Sequence, residues 1–189
     1  MVYHSSFNAA PATSGGGSGA YPQACGCALP PLKGSSRGPA MEHRGEGMDA
    51  VDEALYYFRA EVLFRTFDVQ GPGDKTLIYL TLFASQCLKR IANAANRQAA
   101  AKLLAPSATD NTFKLPGDAG FPLGGLLAPP ADKHEAELFR GYMRQAREQL
   151  VERLLERCFP MSSGGAPNKF WLAFHHRKFL GKDMNRIEV

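Results

Sequence analysis

The chain has 189 residues, of which 44% are hydrophobic. This length and apolar content are enough for one domain with a buried core, and they exclude a fully disordered protein. The formal net charge of +4 favours acidic protein surfaces as partners and is too small to indicate a nucleic-acid-binding protein.

The first part of the chain differs in composition from the rest. Residues 9–28 are dominated by Gly, Ala, Pro and Ser, so they offer little apolar surface to offset the entropy lost on ordering. We expect a segment over residues 1–48 that is mostly flexible from residue 9 onward, with docking of Leu29–Leu32 as an exception, and a helical domain over residues 49–189. No basic stretch followed by an apolar run opens the chain, so no secretory signal is predicted.

The four cysteines are expected to be free thiols. Cys87 and Cys158 fall on apolar helical faces, where a thiol behaves as a small hydrophobic group. Cys25 and Cys27 form a C-x-C pair without a second pair or a histidine cluster nearby, so no metal site is predicted. The pattern is typical of a reducing compartment.

Two helices are predicted in the stretch that follows. The first begins at the N-cap Asp49, carries an apolar stripe, and is predicted to end near Phe67, before a Gly-Pro-Gly turn. The second is predicted to be capped by Asp74 and to continue through an Ala-rich run to Leu104. Residues 76–91 are apolar on nearly every side, so this helix must be wrapped by other helices or by another protein. A buried strand over its first residues is the alternative, and length favours the helix.

A long connection is predicted from Pro106 to Pro130. It shows no periodicity, and its apolar residues favour a loop pinned to a surface. These residues are Phe113, Leu115, Phe121, Leu123, Leu126 and Leu127. The most apolar run of the chain, Thr76–Leu88, is too short to cross a bilayer, so no membrane span is predicted.

Two further helices are predicted after the loop. The third begins at the N-cap Asp132 and ends near Phe159, with Gly141 in its middle as a candidate for a close helix crossing. The fourth spans Lys169–Leu180 after the candidate cap Asn168. The predicted fold is all-α, with about four to five helices in a single domain.

No catalytic constellation accompanies these elements. The serine pairs lie in loop-like sequence outside any G-x-S-x-G elbow, and no Lys-Ser/Thr follows Gly15-Gly16-Gly17. His175 and His176 are adjacent on a helix and point about 100° apart, so they do not chelate one ion as an i,i+4 pair would. We therefore predict no enzyme activity and no cofactor.

The best candidate site is a basic patch near the C-terminus. Five cationic and two acidic side chains follow Asn168, interleaved with aromatic residues. The first interpretation is a helix with its aromatic rings in the core and its charges in water. The second is a contact with an acidic protein surface. The third is nucleic-acid binding, which the shortness of the patch disfavours. The candidate interface residues are Lys169, His175, His176, Arg177, Lys178 and Lys182, together with Phe121 of the long loop.

Several runs of the sequence resemble subunit 3 of the actin-related protein 2/3 complex. They are Tyr3–Ser6, Val51–Phe58, Thr76–Leu82, Cys87–Lys89, Pro116-Gly117, Gly120–Leu123, and Lys169–Trp171 with Phe179. The resemblance covers roughly residues 49–182 and the first few residues, and residues 9–28 look like an insertion into it. It implies an all-α domain in which one hydrophobic helix is surrounded by the others.

The resemblance also implies a function. The family is a non-catalytic subunit of a seven-subunit assembly that nucleates branched actin filaments in the cytoplasm and cytoskeleton. The implied partners are actin-related protein 3, the other subunits and the actin filament, with nucleotide bound by the actin-related subunits only. A free-standing helical actin- or RNA-binding protein is the alternative, and an enzyme would need a pocket with convergent titratable groups.

Overall fold

Five α-helices and one small β-hairpin make up the regular structure of residues 2–9, 21–34 and 36–182, which the computed structural model describes. The helices are α1 (Ala50–Glu61), α2 (Pro72–Ile91), α3 (Arg97–Thr109), α4 (Lys133–Cys158) and α5 (Lys169–Leu172). The strands are β1 (Gln23–Ala24) and β2 (Cys27–Ala28). Four short 3-10 turns lie at Ser6–Asn8, Met161–Ser163, Ala173–His176 and Phe179–Gly181. The described chain is thus mostly helical, as expected, and the small sheet was not predicted.

Helix α1 begins where its cap was predicted and ends earlier than predicted. The Asp49 carboxylate accepts a hydrogen bond from the Asp52 amide at 2.8 Å, which satisfies one of the free N–H groups of the first turn. The helix ends at Glu61 and not near Phe67. The Phe64 carbonyl, which a longer helix would use internally, accepts instead from the Leu180 amide at 3.0 Å.

Helix α2 is the most buried of the five helices. Sixteen of its twenty residues are buried, and it contacts α1, α3, α4 and the hairpin. Its N-cap is Gly71, so the prediction that Asp74 caps this helix is wrong. Asp74 is the third helical residue, and its carboxylate reaches back to accept from the Gln70 amide at 2.9 Å.

The predicted single helix from α2 to Leu104 is two helices. Helix α2 ends at Ile91, and Asn96 caps α3 by accepting from the Ala99 amide at 2.9 Å. Asn competes for backbone groups and so favours a cap over a helix interior. Helix α3 then runs through Pro106 to Thr109, so the long loop begins later than predicted.

Part of the segment expected to be flexible is packed against the helices. Cys25 and Gly26 have φ of +53° and +74°, the two positive values that a two-residue hairpin turn between β1 and β2 requires. Leu29 and Leu32 are buried, which agrees with the predicted docking of Leu29–Leu32. Residues 10–20 and 35 of this segment lie outside the described part, so the expected flexibility of residues 9–48 stays a prediction.

The long loop is pinned as predicted. Five of its six apolar residues are buried, and the sixth, Leu126, is half-buried. The Arg147 guanidinium lies 4.0 Å from the centroid of the Phe113 ring. That guanidinium also lies over two rings of α2, so one buried cation joins the loop, α4 and α2.

Helix α4 has the predicted N-cap, because the Asp132 carboxylate accepts from the Glu135 amide at 2.8 Å. Its Gly141 faces Pro39 of the N-terminal segment and not a crossing helix: a Cβ there would lie 3.1 Å from the proline Cδ. None of the helices in the described ranges combines the length and the apolar character needed to cross a lipid bilayer.

The last predicted helix is much shorter than expected. Helix α5 ends at Leu172 and passes into a 3-10 turn, and the chain is extended again at Arg177. Asn168 is its cap, as predicted. Leu180 has a φ of +52°, which no α-helix accommodates, so the predicted helix over Lys169–Leu180 is wrong.

Candidate protein-interaction surfaces

The N-terminal residues 2–9, which we call the hook, are held by two buried carboxylates. Glu53 accepts from the Ser5 hydroxyl at 2.6 Å, and Asp74 accepts from the Ser5 amide at 2.7 Å. His4 Nδ1 lies 2.9 Å from an Asp74 carboxylate oxygen, and the Asn8 side chain accepts from the Asp74 amide in the first turn of α2 at 2.9 Å. These contacts therefore hold residues 2–9 across α1 and α2.

A third buried acid, Glu61, lies near the two carboxylates that hold the hook. Glu61 is fully buried, and both of its carboxylate oxygens lack a hydrogen bond among the residues that the structure describes. Burial raises the pKa of Glu61 to about 8, and the charges of Asp74 and Glu53 act in the same direction. At neutral pH this carboxyl is therefore chiefly protonated.

Because the pKa of Glu61 is raised, we expect the free energy of unfolding to fall as the pH rises. The pKa is raised from its ordinary value of 4.5, so between pH 4.5 and about 8 the folded chain binds a proton that the unfolded chain has released. The contribution of Glu61 is most favourable below pH 4.5 and is lost on passing through pH 8. We expect Glu61→Gln to remove this decline. Urea unfolding of both proteins across this range should show a gap that widens with pH, and parallel curves would contradict it.

The C-terminal part of the described chain is anchored at three points. The Phe179 side chain is fully buried in the core. The Ser85 hydroxyl of α2 donates to the Arg177 carbonyl at 3.2 Å, and the Leu180 amide donates to the Phe64 carbonyl at 3.0 Å. These contacts hold the turns after α5 against the end of α1.

The same contacts form what we call the basic groove, a cavity of about 390 Å³. Its lining residues are Val62, Leu63, Arg65, His176, Arg177, Lys178, Leu180 and Gly181. The four basic side chains among them are exposed, and within the described ranges none of them is paired with a carboxylate. A groove with an apolar floor and unpaired cations suits an acidic protein surface.

The structure brings only part of the predicted patch together. His176, Arg177 and Lys178 line the basic groove, whereas Lys169 and Lys182 do not. His175 lies with its Nδ1 2.8 Å from the Leu172 carbonyl oxygen, inside its own turn.

Phe121, the candidate from the long loop, is only 7% exposed. Its ring packs in the core, which removes it from the candidate surface. Sequence reasoning missed Arg65, because its place beside the C-terminal turns depends on contacts between distant parts of the chain.

A second concavity, which we call the aromatic groove, lies along α1. It has a volume of about 500 Å³ and is lined by Tyr3, Leu55, Tyr56, Tyr57, Arg59, Ala60, Arg157 and Trp171. Tyr3 of the hook stacks on Tyr57 with ring centroids 4.7 Å apart. Phe58 stacks beneath Trp171 at 5.8 Å, which fixes the indole in place.

The cysteines offer no chemistry at either groove. All four are free and buried, and burial raises the pKa of Cys25 and Cys27 to about 12. A protonated, enclosed thiol is a poor nucleophile and a poor metal ligand. Within the described ranges, no cluster of three or more His, Cys, Asp or Glu side chains could hold a metal ion.

Comparison with known proteins gives one consistent match. Residues 1–184 match the family described as P21-Arc, the ARP2/3 complex ARPC3 (21 kDa) subunit. "Actin-related protein 2/3 complex subunit 3" of Arabidopsis thaliana is 41% identical over 180 residues, covering 95% of this chain and 97% of the relative. The proteins of the same name from Dictyostelium discoideum and Saccharomyces cerevisiae are both 40% identical, over 96% and 83% of this chain and 99% and 88% of their own lengths.

Proposed function

This chain belongs to the P21-Arc family, and we propose from that premise that it is a structural subunit of the actin-related protein 2/3 complex. The observation that carries the proposal is the match along almost the whole length of both this chain and its relatives. Relatives from a plant, an amoeba and a yeast bear the same subunit name, which supports this function over a free-standing actin- or RNA-binding protein.

In this role the chain works by binding and not by bond chemistry. The other subunits of the complex are its partners, and among them we propose actin-related protein 3 as a direct neighbour. The actin filament is the second proposed partner, and the proposed location is the cytoplasm and its cytoskeleton. Two features of the described residues support a non-catalytic role: the thiols are buried, and the exposed grooves carry arginines and aromatic rings that suit protein contacts.

The fold suits this role because the surfaces are carried by one packed body. We propose that α2 is its central helix and that residues 49–189 form the helical domain. The basic groove is held through Ser85 of α2, and the hook is held through Asp74 of the same helix. Any partner contact at these surfaces is thereby pre-organised, which lowers the entropy cost of binding.

A reconstitution assay tests the function. Complex assembled with this chain should nucleate branched actin filaments, and complex assembled without it should form fewer branches under the same conditions. Equal branch densities from the two preparations would count against a role in branch nucleation.

Charge reversal in the basic groove tests where a partner binds. We expect Arg177→Glu with Lys178→Glu to weaken incorporation into the complex or branch formation, because the groove would then repel an acidic surface. A loss of roughly tenfold in the affinity concerned is expected for a contact of this kind.

The matched control is Lys102→Glu with Lys133→Glu. These two lysines are exposed and lie away from the basic groove, so the change in net charge is the same. The control pair should leave incorporation and branching unchanged. An equal loss from both pairs, or no loss from either, would contradict a specific contact at the basic groove.

A further inference from the structure

The aromatic groove holds two arginines against one indole ring. The guanidinium carbons of Arg59 and Arg157 lie 5.8 and 5.6 Å from the centroid of the Trp171 ring. Arg59 comes from α1, Arg157 from the end of α4 and Trp171 from α5, so three helices meet at this point. The hook adds Tyr3, whose side chain is 42% exposed.

Within the described ranges, no carboxylate lies within ion-pair distance of Arg59 or Arg157. The Nη1 atom of Arg157 is buried without a hydrogen-bond partner there, and burial lowers the pKa of this guanidinium. A buried N–H of a cation that finds no acceptor is costly to the isolated chain. An acceptor brought by a partner would remove that cost.

Besides the two arginines, the lining of the aromatic groove is rich in aromatic side chains. Tyr56 is 67% exposed on one side of it, and Phe170, next to Trp171 in the chain, is 81% exposed. Large aromatic side chains exposed together with arginine are typical of the central residues of protein interfaces. Isolated exposed aromatics would need no explanation, but Tyr3 and Tyr56 line one concavity together with Trp171.

We propose that the aromatic groove is a docking site for a partner-protein segment that carries a carboxylate beside an apolar side chain. The carboxylate binds between Arg59 and Arg157, where guanidinium groups can donate two parallel hydrogen bonds to it. The apolar side chain packs on Trp171 and the tyrosines. The inference rests on the proposed function, since it supplies a contact by which the chain holds a partner of its complex.

The test uses the full chain and short labelled peptides. One peptide alternates Glu and Leu, and its matched control alternates Gln and Leu, so that they differ only in charge. Binding is measured by fluorescence anisotropy of the label. Trp171 is the only tryptophan of the chain and lines the groove, so a saturable change in its emission reports where an unlabelled peptide binds.

We expect the Glu peptide to bind at least about tenfold more tightly than the Gln peptide and to shift the emission of Trp171. Arg59→Gln combined with Arg157→Gln should abolish this preference. Arg65→Gln with Arg177→Gln, the same charge change in the basic groove, should retain it. The single variant Arg59→Gln, at an exposed position, keeps the test valid if the double variant folds poorly.

Three results would overturn the inference. They are equal affinities for the two peptides, including no binding of either; unchanged binding by the Arg59 variants; and an equal loss from the basic-groove control. The proposed function fails by a different measurement, the absence of the chain from the complex. A chain that enters the complex but binds the Glu and Gln peptides equally would contradict the docking site and leave the proposed function standing.

Discussion

Replacing Asp49 by alanine is expected to lower the free energy of unfolding by about 3–5 kcal/mol. Asp49 is fully buried, and its carboxylate accepts from Arg153 at 2.6 and 2.9 Å. It also accepts from the amides of Lys33 and Asp52 at 2.7 and 2.8 Å. The substitution removes the cap of α1 and the tie to the N-terminal segment, and it leaves the mostly buried Arg153 with Asp52 as its one carboxylate partner among the described residues. Urea unfolding of the full chain measures the loss.

The matched control is Asp132→Ala. Asp132 is also an N-cap, but it is exposed and has no arginine partner among the described residues. Its loss should cost about 1 kcal/mol, the usual value of a helix cap. Similar losses for the two substitutions would show that the network around Arg153 adds nothing beyond capping.

Replacing Leu80 by alanine is expected to cost about 2–5 kcal/mol in the free energy of unfolding. Leu80 is fully buried on α2, so its removal leaves a cavity in the middle of the core. The same change at Leu103, which is 49% exposed on α3, should cost about 0.5 kcal/mol or less. Thermal or urea unfolding of the two variants measures both losses in the free energy of unfolding. Equal effects would contradict a central position for α2.

Elements that depend on neighbours in sequence were predictable. The caps Asp49 and Asp132 are local signals, since each carboxylate binds an amide three residues further on. The all-round apolar pattern of α2 likewise predicted deep burial. The break at Asn96 was missed because the surrounding alanines favour helix on both sides of it, which left a single side-chain cap as the only contrary signal.

Elements that depend on contacts between distant residues were not predictable. Asp74 looks like an N-cap in sequence, but its carboxylate binds the hook, from which it is separated by about seventy positions. The length of the last helix was overestimated because nothing in the neighbouring sequence shows that the Leu180 amide donates to the Phe64 carbonyl. The turn at Leu180 and Gly181 then follows from that long-range contact.

The candidate surfaces divide in the same way. The basic character of His176, Arg177 and Lys178 was evident from their order in the chain, and their exposure agrees with a surface patch. The assembly of Arg59 and Arg157 around Trp171 depends on how α1, α4 and α5 pack, and no spacing in the sequence encodes it.

An endogenous pulldown tests the central claim most directly. The full chain, tagged at its own locus and purified at native levels, should bring down two actin-related proteins and the other subunits of the complex in constant proportion. It should also elute from a sizing column as one large assembly. Recovery of the chain as a lone monomer of about its own mass, 20.6 kDa, would contradict the proposed function.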